Sequence, residues 1–140
     1  MNYLLDTNFI SEARRPARLP ARVVQWVNSV DPTSWYICVV NLIEIEIGVR
    51  RLARRDPAQA AVLREWKRDW VVANFARRTL AIDVEVAELF ASFQVPDPRP
   101  IYDALLAATA IVHNMTLVTR NLRDFDGMPV RTKNPWDGPS

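Results

Sequence analysis

Near the N-terminus lies Tyr3-Leu4-Leu5-Asp6-Thr7-Asn8, an apolar run followed at once by three polar residues. The apolar run predicts a short buried strand. Aspartate, threonine and asparagine are residues that turn a chain and begin a helix. A strand that leads directly into a helix is the repeating unit of α/β domains. Asp6 is therefore predicted to stand at the carboxyl end of the first strand.

Strands and helices alternate through the rest of the chain. Apolar runs rich in β-branched and aromatic residues predict strands, whereas apolar residues spaced three or four apart predict helices. The predicted strands cover residues 3–5, 35–40, 79–82, 116–119 and 128–130. The predicted helices cover residues 9–14, 21–30, 41–54, 57–75, 83–93 and 102–113. This order predicts an α/β fold, a three-layer α/β/α domain around a mainly parallel central sheet.

Composition predicts a single domain in the cytoplasm. The chain has 140 residues, of which 49% are hydrophobic, and this excludes a disordered chain. The domain is expected to span residues 1–136, and residues 137–140 are expected to fray. No apolar run approaches the roughly 20 residues of a membrane helix, and the first residues do not resemble a signal peptide. The single cysteine, Cys38, cannot form an internal disulfide, which favours the cytoplasm.

The positive charge is almost entirely arginine. The net charge is only +2, which excludes an overtly basic nucleic-acid binder, and the only lysines are Lys67 and Lys133. Arginine pairs occur at residues 14–15, 50–51, 54–55 and 77–78. The arginine fork pairs well with phosphate. It suits a solvated helix face equally well, so both interpretations remain open for each pair.

Four acids occupy related places in the predicted fold: Asp6, Glu44, Asp103 and Asp124. Asp6 and Asp124 follow strands, Glu44 lies in the first turn of the helix after the second strand, and Asp103 begins an apolar helix. Sites in open α/β sheets form outside the carboxyl ends of the strands. Carboxylates gathered there would repel one another unless a cation lay between them. An all-oxygen set favours Mg²⁺ or Mn²⁺ over zinc.

Each acid also has a purely structural interpretation. Asp6 could be a turn or helix-capping residue, and residues 41–44 resemble a capping box in which Glu44 only satisfies backbone donors. Glu46 is an alternative ligand to Glu44. Asp103 is harder to explain in this way, because the helix that it begins is apolar on nearly every face and a buried acid must be compensated. Asp124 competes with its neighbours Asn121 and Asp126.

Other catalytic classes find little support. The only histidine is His113, so neither a Ser-His-Asp triad nor a zinc site is indicated. Cys38 is interpreted as a small core residue. The chain has only three glycines and no glycine-rich phosphate loop.

Five motifs in order resemble VapC-type PIN-domain toxins over nearly the whole chain. They are Leu4-Leu5-Asp6-Thr7-Asn8, residues 41–49, residues 102–110, residues 117–125 and Asn134-Pro135-Trp136. The resemblance implies a PIN-like fold and a Mg²⁺-dependent endoribonuclease. It also implies a VapB-type antitoxin as partner, and a toxin homodimer.

The resemblance also implies roles for individual residues. Asp6, Glu44 and Asp103 match the first three acids of the family by position, and Asp124 is chosen over Asn121 as the fourth. Asp6 and Asp103 are expected to hold the principal metal ion, Mg²⁺, for which Mn²⁺ can substitute. The residues expected to orient carboxylates or water from behind are Thr7, Asn8, Thr119 and Asn121. The residues expected to bind the RNA backbone are Arg14, Arg15 and Arg120.

The hypothesis is hydrolysis of an RNA phosphodiester bond by a metal-activated water. Single-stranded RNA is the expected substrate, since its bases can be splayed out. Trp66 and Trp70 form an apolar stripe that either packs inside the domain or helps to bind an antitoxin segment.

Two other functions compete with this hypothesis. A haloacid-dehalogenase-like phosphatase also begins with an aspartate after a strand, but Asn8 stands where that family has a second acid, and Lys67 and Lys133 are poorly placed for its lysine. A PIN-like binding module without catalysis is the second alternative. The intact set of acids argues against it.

Overall fold

The computed structural model describes residues 1–137 and is built around a five-stranded sheet in the order β3-β2-β1-β4-β5. All four neighbouring pairs are parallel, which confirms the predicted parallel sheet. The strands are β1 (Tyr3–Leu5), β2 (Trp35–Cys38), β3 (Thr79–Leu80), β4 (Thr116–Val118) and β5 (Thr132–Lys133). Because the strands are parallel, their carboxyl ends meet at one edge of the sheet.

Six α-helices connect and cover the strands in the described part of the chain. They are α1 (Thr7–Ala13), α2 (Ala21–Ser29), α3 (Val39–Ala53), α4 (Pro57–Trp66), α5 (Val84–Ser92) and α6 (Ile101–Val112). Short 3₁₀ turns occupy Pro16–Arg18, Pro32–Ser34 and Leu122–Phe125. Among these residues no helix combines the length and the apolar character needed to cross a bilayer.

The sheet divides the apolar core into two clusters, one on each face. Leu4, Cys38 and Leu117 contribute to one cluster, together with residues of α6. Their immediate neighbours Leu5, Ile37 and Val118 contribute to the other, together with residues of α1, α2, α3 and α4. Successive side chains of a strand point to opposite faces, so both faces of each strand must be apolar. This is the expected three-layer α/β/α arrangement.

Helix α3 begins at Val39, two residues before the predicted start at Asn41. Cys38 is its N-cap, and the Cys38 backbone N–H donates to Asn41 Oδ1 at 2.8 Å. The predicted capping box of residues 41–44 is therefore wrong. Its physical reason is that the Asn41 amide is fully buried and reaches back to the end of the strand.

Most other element ends shift by one or two residues, and two differences are larger. The helix predicted at 57–75 is α4 followed by a π-helical stretch, Lys67–Val72. The last strand was predicted at 128–130 but lies at Thr132–Lys133. Pro129 has no N–H to give to a ladder, and the pairing with β4 starts only where Leu117 N–H donates to Arg131 O. The fraying predicted for 137–140 falls, for residues 138–140, outside the described residues.

Candidate metal centre at the carboxyl edge of the sheet

Asp6 lies between β1 and α1 and is only 7% exposed. Its backbone N–H donates to Val118 O at 2.9 Å, which holds it beside the end of β4. It occupies the N-cap position of α1, but its side chain makes no capping hydrogen bond. Instead, Oδ2 accepts from the Thr119 hydroxyl at 2.7 Å. Asp6 therefore stands at the helix-cap position, as one interpretation predicted, and its carboxylate is in addition bound by Thr119.

A chain of hydrogen bonds holds Glu44 in α3. The Thr7 hydroxyl donates to Glu44 Oε1 at 2.8 Å, and Asn41 Nδ2 donates to Thr7 Oγ1 at 3.0 Å. The same Asn41 nitrogen lies 3.0 Å from Leu5 O. One buried amide thus connects the end of β1, the start of α3 and the hydroxyl that orients Glu44.

Asp103 lies in the first turn of α6, and the structure gives its carboxylate no hydrogen bond or ion pair among residues 1–137. Its pKa is raised from 3.8 to about 6, first by burial and then by the negative charges of Asp124, Asp6 and Glu44. The neighbouring acids therefore act on Asp103 together. Asp124 comes from the 3₁₀ turn after β4, where its N–H donates to Asn121 O.

The other acids respond to the same electrostatic environment. Burial is the main cause that raises the pKa of Asp6, and the charge of Asp124 adds to it. The Thr119 hydroxyl and the backbone N–H groups of Thr7 and Asn8 act in the opposite direction. The pKa of Glu44 is also raised, mainly by burial, with the charge of Asp6 adding to it and the Thr7 hydroxyl opposing it. A bound cation would relieve all of these charges at once.

The donor chemistry fits a hard divalent cation. Four carboxylates offer only oxygen ligands, as Mg²⁺ and Mn²⁺ prefer. As they stand, no three Asp, Glu, His or Cys side chains of residues 1–137 are close enough to ligate one ion. Carboxylates without a cation repel one another, so ligation requires these side chains to move closer together. His113 caps the opposite end of α6 from Asp103 and is not among them.

The comparison with known protein families finds the PIN domain. The model of the PIN domain matches residues 3–129. This chain belongs to the PIN-domain family. Confirmation of the family agrees with the resemblance noted from the five motifs.

Two curated relatives of this PIN domain have names that state an activity. The toxin FitB of Neisseria gonorrhoeae is 34% identical over 138 residues, which cover 95% of this chain and 97% of FitB. Ribonuclease VapC14 of Mycobacterium tuberculosis is 44% identical over 80 residues, which cover 56% of this chain and 77% of that protein.

A solved structure agrees with the PIN-domain assignment over the full fold. The crystal structure of FitAcB from Neisseria gonorrhoeae superposes with a TM-score of 0.82 at 32% identity, covering 96% of this chain and 98% of that one.

Glu46, the alternative to Glu44, points away from the PIN-domain acids. Its carboxylate binds Arg50 at 2.7 Å and Arg64 and Lys67 at 3.0 Å. These cations, led by Lys67, lower its pKa to about 2. Glu46 therefore belongs to a surface ion cluster and is not available to the acid site.

The remaining polar residues predicted for the site lie around Thr119. The Asn121 backbone N–H donates to Thr119 Oγ1 at 3.0 Å, so Asn121 supports the hydroxyl that binds Asp6. Asn8 is exposed, and its contribution to Asp6 comes from its backbone N–H. Asp126 uses its backbone carbonyl to accept from Arg99.

The three predicted RNA-binding arginines line one cavity of about 440 Å³ beside α1. Arg120 also lines a second hollow, which contains Asn121 and Asp124. It is therefore the side chain shared by the arginine-rich cavity and the hollow that contains Asp124. The structure thus places Arg14, Arg15 and Arg120 on one surface.

The tryptophan stripe is partly buried. The rings of Trp66 and Trp70 stack with centroids 6.0 Å apart. Trp66 packs against the core cluster that contains Leu5, whereas Trp70 is 37% exposed. The predicted packing inside the domain is therefore confirmed for Trp66, and the binding of an antitoxin segment stays a prediction.

Sequence reasoning missed two residues of this region. Asn41 was interpreted as a helix cap, and Glu12 was not considered. A lone asparagine directly after the apolar run 35–40 was the available signal for Asn41. Glu12 gave none, because an isolated glutamate on a short helix is usually solvated.

Proposed function

We propose that this protein is a metal-dependent endoribonuclease that acts as the toxin of a type II toxin–antitoxin pair and hydrolyses RNA phosphodiester bonds. The observation that carries the proposal is the mutual influence of Asp6, Glu44, Asp103 and Asp124 at one edge of the sheet. Membership of the PIN-domain family and relatives named a toxin and a ribonuclease support it.

Mg²⁺ is the proposed cofactor, and Mn²⁺ is expected to substitute. Asp6 and Asp103 would hold it, with Glu44 and Asp124 completing the site directly or through water. Bound Mg²⁺ supplies Lewis-acid chemistry, in which it makes water more acidic and polarises the phosphate. The protein contributes oriented oxygens, because Thr119 fixes the Asp6 carboxylate and Thr7 fixes that of Glu44.

The arginines beside the acids have a complementary role. Carboxylates repel an RNA backbone, whereas Arg14, Arg15 and Arg120 can pair with its phosphates. Their cavity lies next to the acids through Arg120. The chain can therefore bind phosphate groups on one side of the site while it presents acids on the other.

The decisive experiment is RNA cleavage by purified protein with added Mg²⁺, using Asp103→Asn and the exposed control Glu88→Gln. Wild type and Glu88→Gln should cleave single-stranded RNA and stop cell growth on induction, and Asp103→Asn should do neither. Sequencing of the cut ends would identify the target. Full activity of Asp103→Asn would remove the acid site from the reaction, and activity unaffected by a chelator would remove the metal.

An antitoxin partner follows from the toxin proposal. The half-exposed Trp70 and the neighbouring exposed Val62 and Val72 offer apolar surface to an amphipathic antitoxin segment. Co-expression with the adjacent gene should yield a stable complex that lacks nuclease activity. Failure of an expressed, harmless chain to bind any such product would contradict the partnership.

A homodimer is also proposed, since apolar side chains lie exposed around the starts of α5 and α6. Val84 and Val95 are each 76% exposed and Ile101 is 60% exposed. Sedimentation should show a dimer that Ile101→Glu converts to a monomer. A wild-type monomer at cellular concentration would refute this. We place the protein in the cytoplasm, where its proposed RNA substrate is found.

A further inference from the structure

The residues that line the cavity beside α1 include more than binding of the RNA backbone would require. Its volume of about 440 Å³ is in the range of pockets that hold small ligands, about 300–1,000 Å³. Its lining residues are Ser11, Glu12, Arg14, Arg15, Arg18, Leu19, Pro20, Arg120 and Trp136. The lining thus combines four cations, one acid and one indole. A phosphate alone would need only the cations.

Glu12 is the one acidic residue of this lining, and it is incompletely paired. Its Oε1 accepts from Arg120 Nη1 at 3.2 Å. Its Oε2 is buried and has no hydrogen-bond partner in the protein. A buried carboxylate oxygen without a donor is costly. The Glu12 side chain as a whole is 40% exposed, so rotation of its carboxylate would turn Oε2 toward the N–H donors of a ligand in the cavity.

Trp136 and the Arg120 guanidinium stack on each other at the same place. The Arg120 guanidinium carbon lies 5.1 Å from the centroid of the indole ring. The indole is held by an edge-to-face contact with Phe9 at 5.8 Å, and Arg22 Nη1 donates to Trp136 O at 3.0 Å. Unstacked bases of single-stranded RNA pack on aromatic rings and on guanidinium planes. The cavity therefore has the parts that a nucleotide requires, namely cations for phosphate, a plane for the base and an acceptor for its edge.

We propose that this cavity binds a guanine nucleotide of the RNA, next to the bond that is cut, and that Glu12 is the residue that selects guanine. The inference rests on the proposed function, because it assigns one subsite of the same nuclease. Guanine is the base whose Watson–Crick edge presents two adjacent donors, N1–H and the 2-amino group. Adenine and cytosine present one amino group beside an acceptor, and uracil presents one N–H between two carbonyls.

The neighbouring groups fit the same base. Arg120 is already bound to Glu12 and can donate to the O6 atom of guanine, as arginine does in many complexes. Arg120 directly follows Thr119, whose hydroxyl binds Asp6. A base bound at Glu12 and Arg120 would therefore lie one residue along the chain from the hydroxyl that binds Asp6, and its selection would determine where the RNA is cut.

The test is binding without metal, so that it is separate from catalysis. The probe is a short fluorescein-labelled oligouridine with one central guanosine, inosine or adenosine, followed by anisotropy. Inosine lacks only the 2-amino group. Wild type should bind the guanosine probe about tenfold or more tightly than the inosine and adenosine probes, as expected for one well-made base contact. Glu12→Gln and Glu12→Asp should bind the three probes equally, and Glu88→Gln should behave as wild type.

Several outcomes would overturn the proposal. Equal binding of the three probes by wild type would do so. A Glu12→Gln variant that binds all three probes more weakly by the same factor, and so keeps the guanosine preference, would also do so, because Glu12 would then only hold Arg120. A Glu12 variant that keeps the guanosine preference but no longer binds the antitoxin would show that the cavity is a protein-binding site. Thermal melting of both Glu12 variants checks that they fold.

The two proposals can fail separately. Asp103→Asn should keep the guanosine preference while it loses cleavage. If wild type cleaves no RNA with Mg²⁺ yet still prefers guanosine, the nuclease assignment fails and the subsite stands. If wild type cleaves RNA without any preference for guanosine near the cut, the subsite fails and the nuclease assignment stands.

Discussion

Glu44 and Glu46 lie two residues apart on α3, and their environments are opposite. Glu44 is bound by one hydroxyl beside other acids, and its pKa is raised. Glu46 is bound by three cations, and its pKa is lowered to about 2. Two residues correspond to about 200° around a helix, so the two side chains leave the helix on nearly opposite sides. The side of α3 from which an acid leaves therefore decides whether it joins the acid site at the sheet edge or the surface ion cluster.

The strongest test of this contrast is the pair of matched substitutions Glu44→Gln and Glu46→Gln. Loss of a metal-site carboxylate should reduce RNA cleavage by more than about 100-fold, since even outer partners of such sites contribute about 10–100-fold. Glu46→Gln should leave cleavage unchanged and cost less than about 1 kcal/mol of unfolding free energy, as exposed ion pairs do. Rates under saturating Mg²⁺ and denaturant melts measure both effects. Equal losses from the two variants would abolish the distinction.

The second test concerns the amide that holds Glu44 in place. Asn41→Leu removes the side chain that accepts from Cys38 N–H and donates to Leu5 O and Thr7. We expect a loss of about 2–3 kcal/mol of unfolding free energy, because buried backbone groups lose their partners. Asn28→Leu, at an exposed position of α2, is the control and should change little. Urea denaturation measures the free energy of unfolding. If Asn41→Leu leaves it nearly unchanged, the buried hydrogen bonds of Asn41 are not needed for stability.

A third test asks how much the support of Asp6 matters. Thr119→Val removes the hydroxyl that donates to Asp6 Oδ2 and keeps the shape of the side chain. Cleavage or Mg²⁺ affinity should fall by about 10–100-fold. Thr116→Val, at the start of the strand that Thr119 follows, serves as the matched control. Calorimetric titration with Mg²⁺ separates a binding defect from a catalytic one, and a Thr119→Val protein with unchanged affinity and rate would rule out this role.

The smallest expected effect is a pH dependence of stability. The folded pKa of Asp103 is raised from 3.8 to about 6, so folding disfavours its charged form. Without metal, stability should fall as pH rises from 3.8 through about 6 and then level off. The loss is about 1–2 kcal/mol after solvent screening at a half-buried carboxyl is allowed for. Mg²⁺ should restore it above pH 6, and Asp103→Asn should flatten the profile. Melts across pH would contradict this if stability rose instead.

The sequence predicted the sheet, the parallel direction of its strands and the positions of the four acids relative to strand ends. Those features depend on local apolar patterns and on the rule that sites form at carboxyl ends of strands. It could not predict that Glu46 pairs with Arg64 and Lys67, because those cations lie on the far side of the helical hairpin. Nor could it predict the orphaned oxygen of Glu12, which exists only once Arg120 and Trp136 fold against α1.

Asn41 bears on how other members of this family should be recognised. The placement of Glu44, and of the strand end that Asp6 follows, depends on a neutral buried amide. A relative could therefore retain every acid and still be inert, if drift had replaced that amide with an aliphatic side chain. Counting conserved acids alone would then overestimate how many such chains are working nucleases, and inspecting the residue three positions before the glutamate would correct the count.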